Sequence, residues 1–255
     1  MLSRYAFRPL AERLTHRFVF KRRLPQFFGG RAISVSTEGG LRYLFRRSED
    51  LDPTLYSTVR KCVVPGDVVW DVGANVGLFS FSAAALATRS GSVLAVEPDV
   101  WLVGLLRRSA ARRQDTAAAV DVLPAAMSDV TGISSFSIAE RSRSTNHLVG
   151  FGTTQTGGER ARISVPTMTL DLISGVRPMP TVLKIDVEGA EVQVLRGASA
   201  VLASHPTVII EVAGVNIAAV DAILRPLGYR YINAETGAAS DLPCPDTIAF
   251  IGASP

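Results

Sequence analysis

The chain has little cysteine, few aromatic residues and no long apolar run. Cys62 and Cys244 are its only cysteines among 255 residues, too few for a disulfide framework. Both read as small hydrophobes or inert thiols, and sparse cysteine agrees with a reducing, cytoplasmic setting. No stretch reaches the roughly 18 uninterrupted apolar residues of a spanning helix, and the start lacks the apolar core of a secretory signal. Only three histidines are present, so imidazole chemistry has few candidate positions. The Gly-x-Gly-x-x-Gly pattern of dinucleotide sites is also missing. The net charge of +4 is small but unevenly spread. Residues 1–62 hold 13 Lys and Arg against 5 Asp and Glu, a balance of +8, which leaves −4 for the remainder. A nucleic-acid partner would call for a basic face beside the active site. No such cluster is expected after the glycine turn described next, so no nucleic acid is expected.

What is present is organised around Asp71-Val-Gly-Ala-Asn-Val-Gly77. Val68–Trp70 reads as a buried strand before it and Leu78–Ala87 as a helix after it. Strand, glycine turn and helix open a nucleotide-binding βαβ unit. Gly73 permits a sharp turn and Gly77 a close helix–strand approach. Asn75 takes the second glycine position, which weakens the case for a pyrophosphate. Asp71, opening the turn, suits a cationic ligand such as S-adenosylmethionine, with its sulfonium and ammonium. Ser92–Val96 reads as the next strand. Glu97 follows it, 26 positions after Asp71, near the ~20-residue spacing of ribose-binding acids.

Further along the chain, Val120–Leu123 reads as a third strand, Thr181–Asp186 as a fourth and Thr207–Val212 as a fifth. Tyr229–Ile232 and Thr247–Ile251 form a final antiparallel pair. Helices are expected at Asp52–Val63, Val100–Arg113, Glu188–Ala203 and Asn216–Leu227. Seven strands in this order, the last reversed, imply a Rossmann-like α/β sheet with helices on both faces. Ser134–Ile138 and Arg162–Val165 read as a paired β insertion. The polar segment between them, Arg141–Gly158, is placed to be a substrate lid. Two regions are distinguished: a basic N-terminal extension, 1–62, and a main domain, 63–255. In the extension Leu2, Tyr5, Leu10, Leu14 and Phe18 recur at helical spacing, interrupted by Pro9. Residues 1–28 thus read as a leader helix packed on the domain, its basic and aromatic content also suiting peripheral contact with a membrane. Arg31–Phe45 reads as a hairpin turning at Glu38-Gly39-Gly40.

Asp71–Gly77, Glu97-Pro98, Ala126-Met-Ser-Asp129, Val165–Asp171 and Leu183-Lys-Ile-Asp-Val-Glu-Gly-Ala-Glu191 together resemble the FkbM-type methyltransferases, from about Pro65 to Val212. The resemblance implies a class I, S-adenosylmethionine-dependent O-methyltransferase acting on hydroxyls of sugars, glycolipids or other small molecules. It implies donor contacts at Asp71, Gly73, Asn75, Gly77 and Glu97, with Met127, Ser128 and Asp129 against the adenine. An alcohol is a poor nucleophile, so a base beside it is expected. Asp186, at the end of the fourth strand, is the leading candidate, with Glu188, His147 and Glu211 also considered. By strand alternation Lys184 shares a face with Asp186. Asp186, Glu188, Glu211 and Asn216 are oxygen-rich, but no sequence-local cation loop accompanies them and no metal ligand is assigned. A nicotinamide-dependent oxidoreductase and a catalytically silent binding protein of the same fold remain as alternatives.

Overall fold

The computed structural model describes residues 18–39, 42–140, 142–152 and 158–252. In chain order the strands are β1 Val19–Arg23, β2 Ala32–Ser36, β3 Val68–Val72, β4 Ser92–Val96, β5 Ala119–Leu123, β6 Ala126–Met127 and β7 Gly132–Ala139. They continue as β8 His147–Leu148, β9 Glu159–Met168, β10 Val182–Ile185, β11 Thr207–Glu211, β12 Arg230–Asn233, β13 Ala239–Ser240 and β14 Asp246–Phe250. The main helices are α1 Pro53–Cys62, α2 Leu78–Ala87, α3 Val100–Ala110, α4 Leu170–Ser174, α5 Glu191–Arg196, α6 Ser199–Ala203 and α7 Ile217–Leu224.

The central sheet runs β13-β12-β14-β11-β10-β3-β4-β5. Pairing is parallel from β5 through β11 and antiparallel at β14. The expected Rossmann-like sheet with a reversed last strand is therefore present. It has eight strands rather than seven, because Ala239 and Ser240 pair with Ile232 and Tyr231 at one edge. Two residues inside a polar turn carry no periodic signal.

Helices cover both faces because the parallel strands are apolar on both sides. One core joins Val69, Val93 and Ala95 to Phe79, Phe81 and Ala84 of α2 and to Leu102, Leu105 and Leu106 of α3. The other joins Trp70, Leu94, Leu183 and Ile210 to Leu170, Val194, Leu202 and Leu224. α2 is buried along most of its length, and its serines and alanines keep it thin enough to lie between the sheet and α1. α1 starts at Asp52, whose side chain accepts from Leu55 N at 3.1 Å, and has Pro53 in its first turn.

The N-terminal elements differ from the sequence reading. Residues 19–23 form a strand, not the end of a helix, and pair antiparallel with β2. The hairpin turns at Pro25–Gly30, where Gly29 and Gly30 take φ of 72° and 60°, instead of at Glu38–Gly40. Paired left-handed glycines allow that reversal, whereas Thr37–Gly39 coils into a single 3-10 turn. The rest of the leader, 1–17, lies outside the described residues. Leu24, Phe28, Ile33, Val35, Tyr43 and Val59 share the first core with the sheet, so the described part of residues 1–62 is packed onto it.

β7 and β9 form the long antiparallel ladder of the expected insertion, extended by β6 and β8 into a four-stranded sheet. The helix expected at Glu188–Ala203 is two short helices. Gly197 separates them where a Cβ would lie 2.1 Å from Ser128 O, so the chain bends around the β6 turn. No described helix is long and apolar enough to cross a membrane.

Candidate active site

A cleft of about 560 Å³ opens at the carboxyl ends of β3, β4, β10 and β11, where ligands enter open α/β sheets. The glycine turn forms its floor. Gly73 has φ +79°, and a Cβ there would lie 1.8 Å from the carbonyl oxygen of Asp186. Only glycine lets the turn and the end of β10 touch. Asn75 also lies in the left-handed region, at φ 52°, which asparagine tolerates. Gly77, φ +90°, faces Phe81 and Leu106 rather than the cleft. Its role is helix packing.

Glu97 is 5% exposed. Its carboxylate accepts Asn75 N and Asp99 N, each at 2.9 Å. Burial outweighs these bonds, and with nearby Asp99 and Asp71 it pushes the Glu97 carboxyl up to about 8. Met127 is buried and lines the cleft. Ser128 and Asp129 do not: Ser128 N donates to Met168 O at 2.9 Å, and Ser128 Oγ donates to Asp129 at 3.1 Å. The chain turns away after Met127 to join β9.

Asp71 departs from its expected part. It is fully buried, outside the cleft wall, and pairs with Lys184 Nζ at 3.1 Å while Ser80 Oγ donates to it. Its charge is spent inside the protein. Lys184 also pairs with Asp186 Oδ2 at 3.1 Å and donates to Gly73 O at 3.4 Å. Burial opposes the ammonium, but Asp186 and Asp71 outweigh it and hold Lys184 above the usual lysine value. One buried cation thus ties the glycine turn to the end of β10.

Asp186, Glu188 and Glu211 gather at one end of the cleft. Glu188 precedes α5 rather than lying in it. Burial, then Asp186 and Glu191, push its carboxyl up to about 7. Glu211 sits at the mouth. Partial burial and the charges of Asp186 and Glu188 push it up to about 8. Among the described residues no group of three or more His, Cys, Asp or Glu is arranged to hold a metal ion. Glu191 backs the Asp186–Glu188 turn: it accepts Gly189 N at 2.8 Å, and Asn216 Nδ2 donates both to it and to Gly189 O.

His147, on β8, is buried and lines the cleft, with Nδ1 3.3 Å from Thr145 O. The segment expected to be a lid is firmly anchored over residues 142–152. Arg143 pairs with Glu38 and Asp99, and Asn146 Nδ2 donates to Asp99 Oδ2 at 2.8 Å. Asp99 and Glu38 gave no signal in the sequence because their partners lie 44 and 105 residues away. Residues 153–157 of that segment are not described.

Residues 71–231 match the model of the methyltransferase FkbM domain. The hexuronic acid methyltransferase AglP of Haloferax volcanii is 32% identical over 153 residues, 59% of this chain and 58% of that protein. The crystal structure of methyltransferase FkbM from Methylobacillus flagellatus KT superposes with a TM-score of 0.50 at 18% identity, over 76% of this chain and 47% of that one, a likeness of fold. Its glycine turn, its strand-end acids and the stretch through Glu191 all fall inside the matched residues, which make up more than half of the sequence: the chain belongs to the FkbM methyltransferase family.

Proposed function

We propose that the protein transfers the methyl group of S-adenosylmethionine to a hydroxyl of a sugar or related small-molecule acceptor. The observation that carries this is the contact of Gly73 with Asp186, which brings the glycine turn directly against the acid that follows β10. The cleft's chemistry fits the donor. Asn75 Oδ1 is buried without a hydrogen-bond partner. Glu97 offers a desolvated carboxyl suited to ribose hydroxyls, and Met127 an apolar wall suited to adenine. The crowded acids Asp186, Glu188 and Glu211 gain from a nearby positive charge. The donor supplies an electrophilic methyl on sulfur. As the acceptor oxygen forms its new C–O bond and the S–C bond breaks, the hydroxyl proton leaves to a carboxylate. Asp186, paired with Lys184 at 3.1 Å, is the base in this reading, with Glu188 and Glu211 as further proton holders. His147 flanks the same space. The sugar class rests on the name of the AglP relative.

Titration calorimetry with S-adenosylmethionine, NADH as a parallel ligand, and acceptor-panel assays with labelled donor test the proposal. Binding of NADH in place of the donor, or donor binding with no transfer to any hydroxyl acceptor, would overturn it.

A further inference from the structure

A second cavity, of about 590 Å³, lies at the other end of the sheet. Its walls come from the end of α3, the turn after α2 and the amino end of β5, the sheet's outer strand. Arg31, Arg89, Arg107 and Arg113 all line it. Three of these follow the glycine turn in sequence and gather away from the cleft. Two acids also border it, Asp115 and Asp121, and Asp121 is already paired with Arg177. Arg89, Arg107 and Arg113 have no ion pair with another described residue.

Arg31 makes this more than a set of surface arginines at a helix end. It is 4% exposed and lies over the Phe81 ring, 4.6 Å from its centroid. Its Nη2 donates to Ser109 O at 3.1 Å. Its Nε is buried without a partner. No carboxylate of the described residues pairs with it. Desolvating a guanidinium without a counter-ion is costly, and gathering three more around the same cavity adds repulsion. An oxyanion relieves both, and the planar fork of arginine matches phosphate geometry.

We propose that this groove binds a phosphate-class anion of two or more negative charges through Arg31, Arg107 and Arg113. The ligand is a phosphate or pyrophosphate group, borne either by a soluble compound or by a lipid. The site is independent of the cleft and of the donor reading.

Pyrophosphate titrated calorimetrically into the full chain at low ionic strength provides the test, with R107E/R113E as the variant. Both side chains are exposed, so the fold should persist, checked by near-ultraviolet circular dichroism. Saturable one-site binding, weakened about tenfold or more in the variant and by added salt, supports the site. No saturable binding, or equal binding by the variant, overturns it. Co-sedimentation at pH 8 with phosphatidic acid vesicles, whose head group is a terminal phosphate, against phosphatidylcholine then separates the sources. Variant-sensitive capture by the anionic vesicles assigns the group to a lipid, and its absence alongside pyrophosphate binding assigns it to a soluble compound.

Discussion

Gly152 packs its backbone against that of Glu188, so that a Cβ on Gly152 would lie 2.4 Å from Glu188 O and 2.6 Å from His147 Cβ. Gly189 returns the contact: a Cβ there would lie 2.2 Å from Phe151 O. The segment after His147 and the turn carrying Glu188 therefore fit only because both lack side chains. Gly152→Ala should force them apart, at a cost of about 1–3 kcal/mol. The expected outcome is a raised acceptor KM and reduced kcat, with donor Kd within twofold of the parent. Unchanged acceptor kinetics would show that this contact does not shape the acceptor side.

Measured near pH 9, above the value of about 8 to which burial pushes the Glu97 carboxyl, Glu97→Ala should weaken S-adenosylmethionine binding by about 1.5–3 kcal/mol, the worth of a charge-assisted hydrogen bond, or about tenfold to a hundredfold in Kd. Calorimetry checks it. A folded variant with parental affinity removes Glu97 from the donor site.

Asp186→Asn and Lys184→Met should separate chemistry from architecture. The first keeps the Asp71–Lys184 pair, so the fold should hold while kcat drops by about 10²–10⁴, the range of a general base. The second strands Asp71, which is fully buried, and breaking such a pair costs about 3–5 kcal/mol. Thermal unfolding and single-turnover transfer rates distinguish them. Parental turnover in Asp186→Asn, with collapse in His147→Ala, would move the base to His147.

The ligand-free protein should lose stability as pH rises. Glu97, Glu188 and Glu211 sit at about 8, 7 and 8 against a reference of 4.5. Each is raised, so the folded state holds more protons than the unfolded chain between these values, and the slope of stability with pH is negative there. Stability is complete below about 4.5 for these groups and is lost towards 8. Tm should fall between pH 5.5 and 8.5, and Glu211→Gln should flatten part of the fall. A Tm that rises over this interval would contradict the account.

Deleting residues 1–36 should unfold the protein rather than trim it. Phe28, Ile33 and Val35 are each 0% exposed, and burying one such side chain is worth about 1.5–3 kcal/mol. A cooperative unfolding transition at the parental temperature in the truncated chain would show that this hairpin is dispensable.

The parallel sheet was legible because its strands are continuous apolar runs and its glycine turn has fixed spacing. Gly73, Asn75, Glu97, Met127, Asp186, Glu188 and His147 do share one cleft. Local motifs do not report which way a carboxylate faces. From sequence Asp71 therefore reads as a ligand contact, whereas a lysine far along the chain neutralises it. Ser128 and Asp129 were carried along by adjacency to Met127. The first hairpin is ambiguous in sequence because Glu38-Gly39-Gly40 and Phe28-Gly29-Gly30 offer the same turn chemistry, and only tertiary packing of Phe28 decides between them.

The link through Lys184 also constrains how the chain is made. Its partner turn emerges first: Lys184 lies 111 residues beyond Gly73. Synthesis of that interval takes roughly 5–20 seconds at about 5–20 residues per second. Throughout it, the first half carries a buried-type carboxylate without its counter-ion and a glycine turn without its neighbour. The amino-terminal half is thus expected to stay loosely packed on the ribosome until β10 arrives, and a fragment ending before residue 184 should recover its order only when the missing half is supplied in trans.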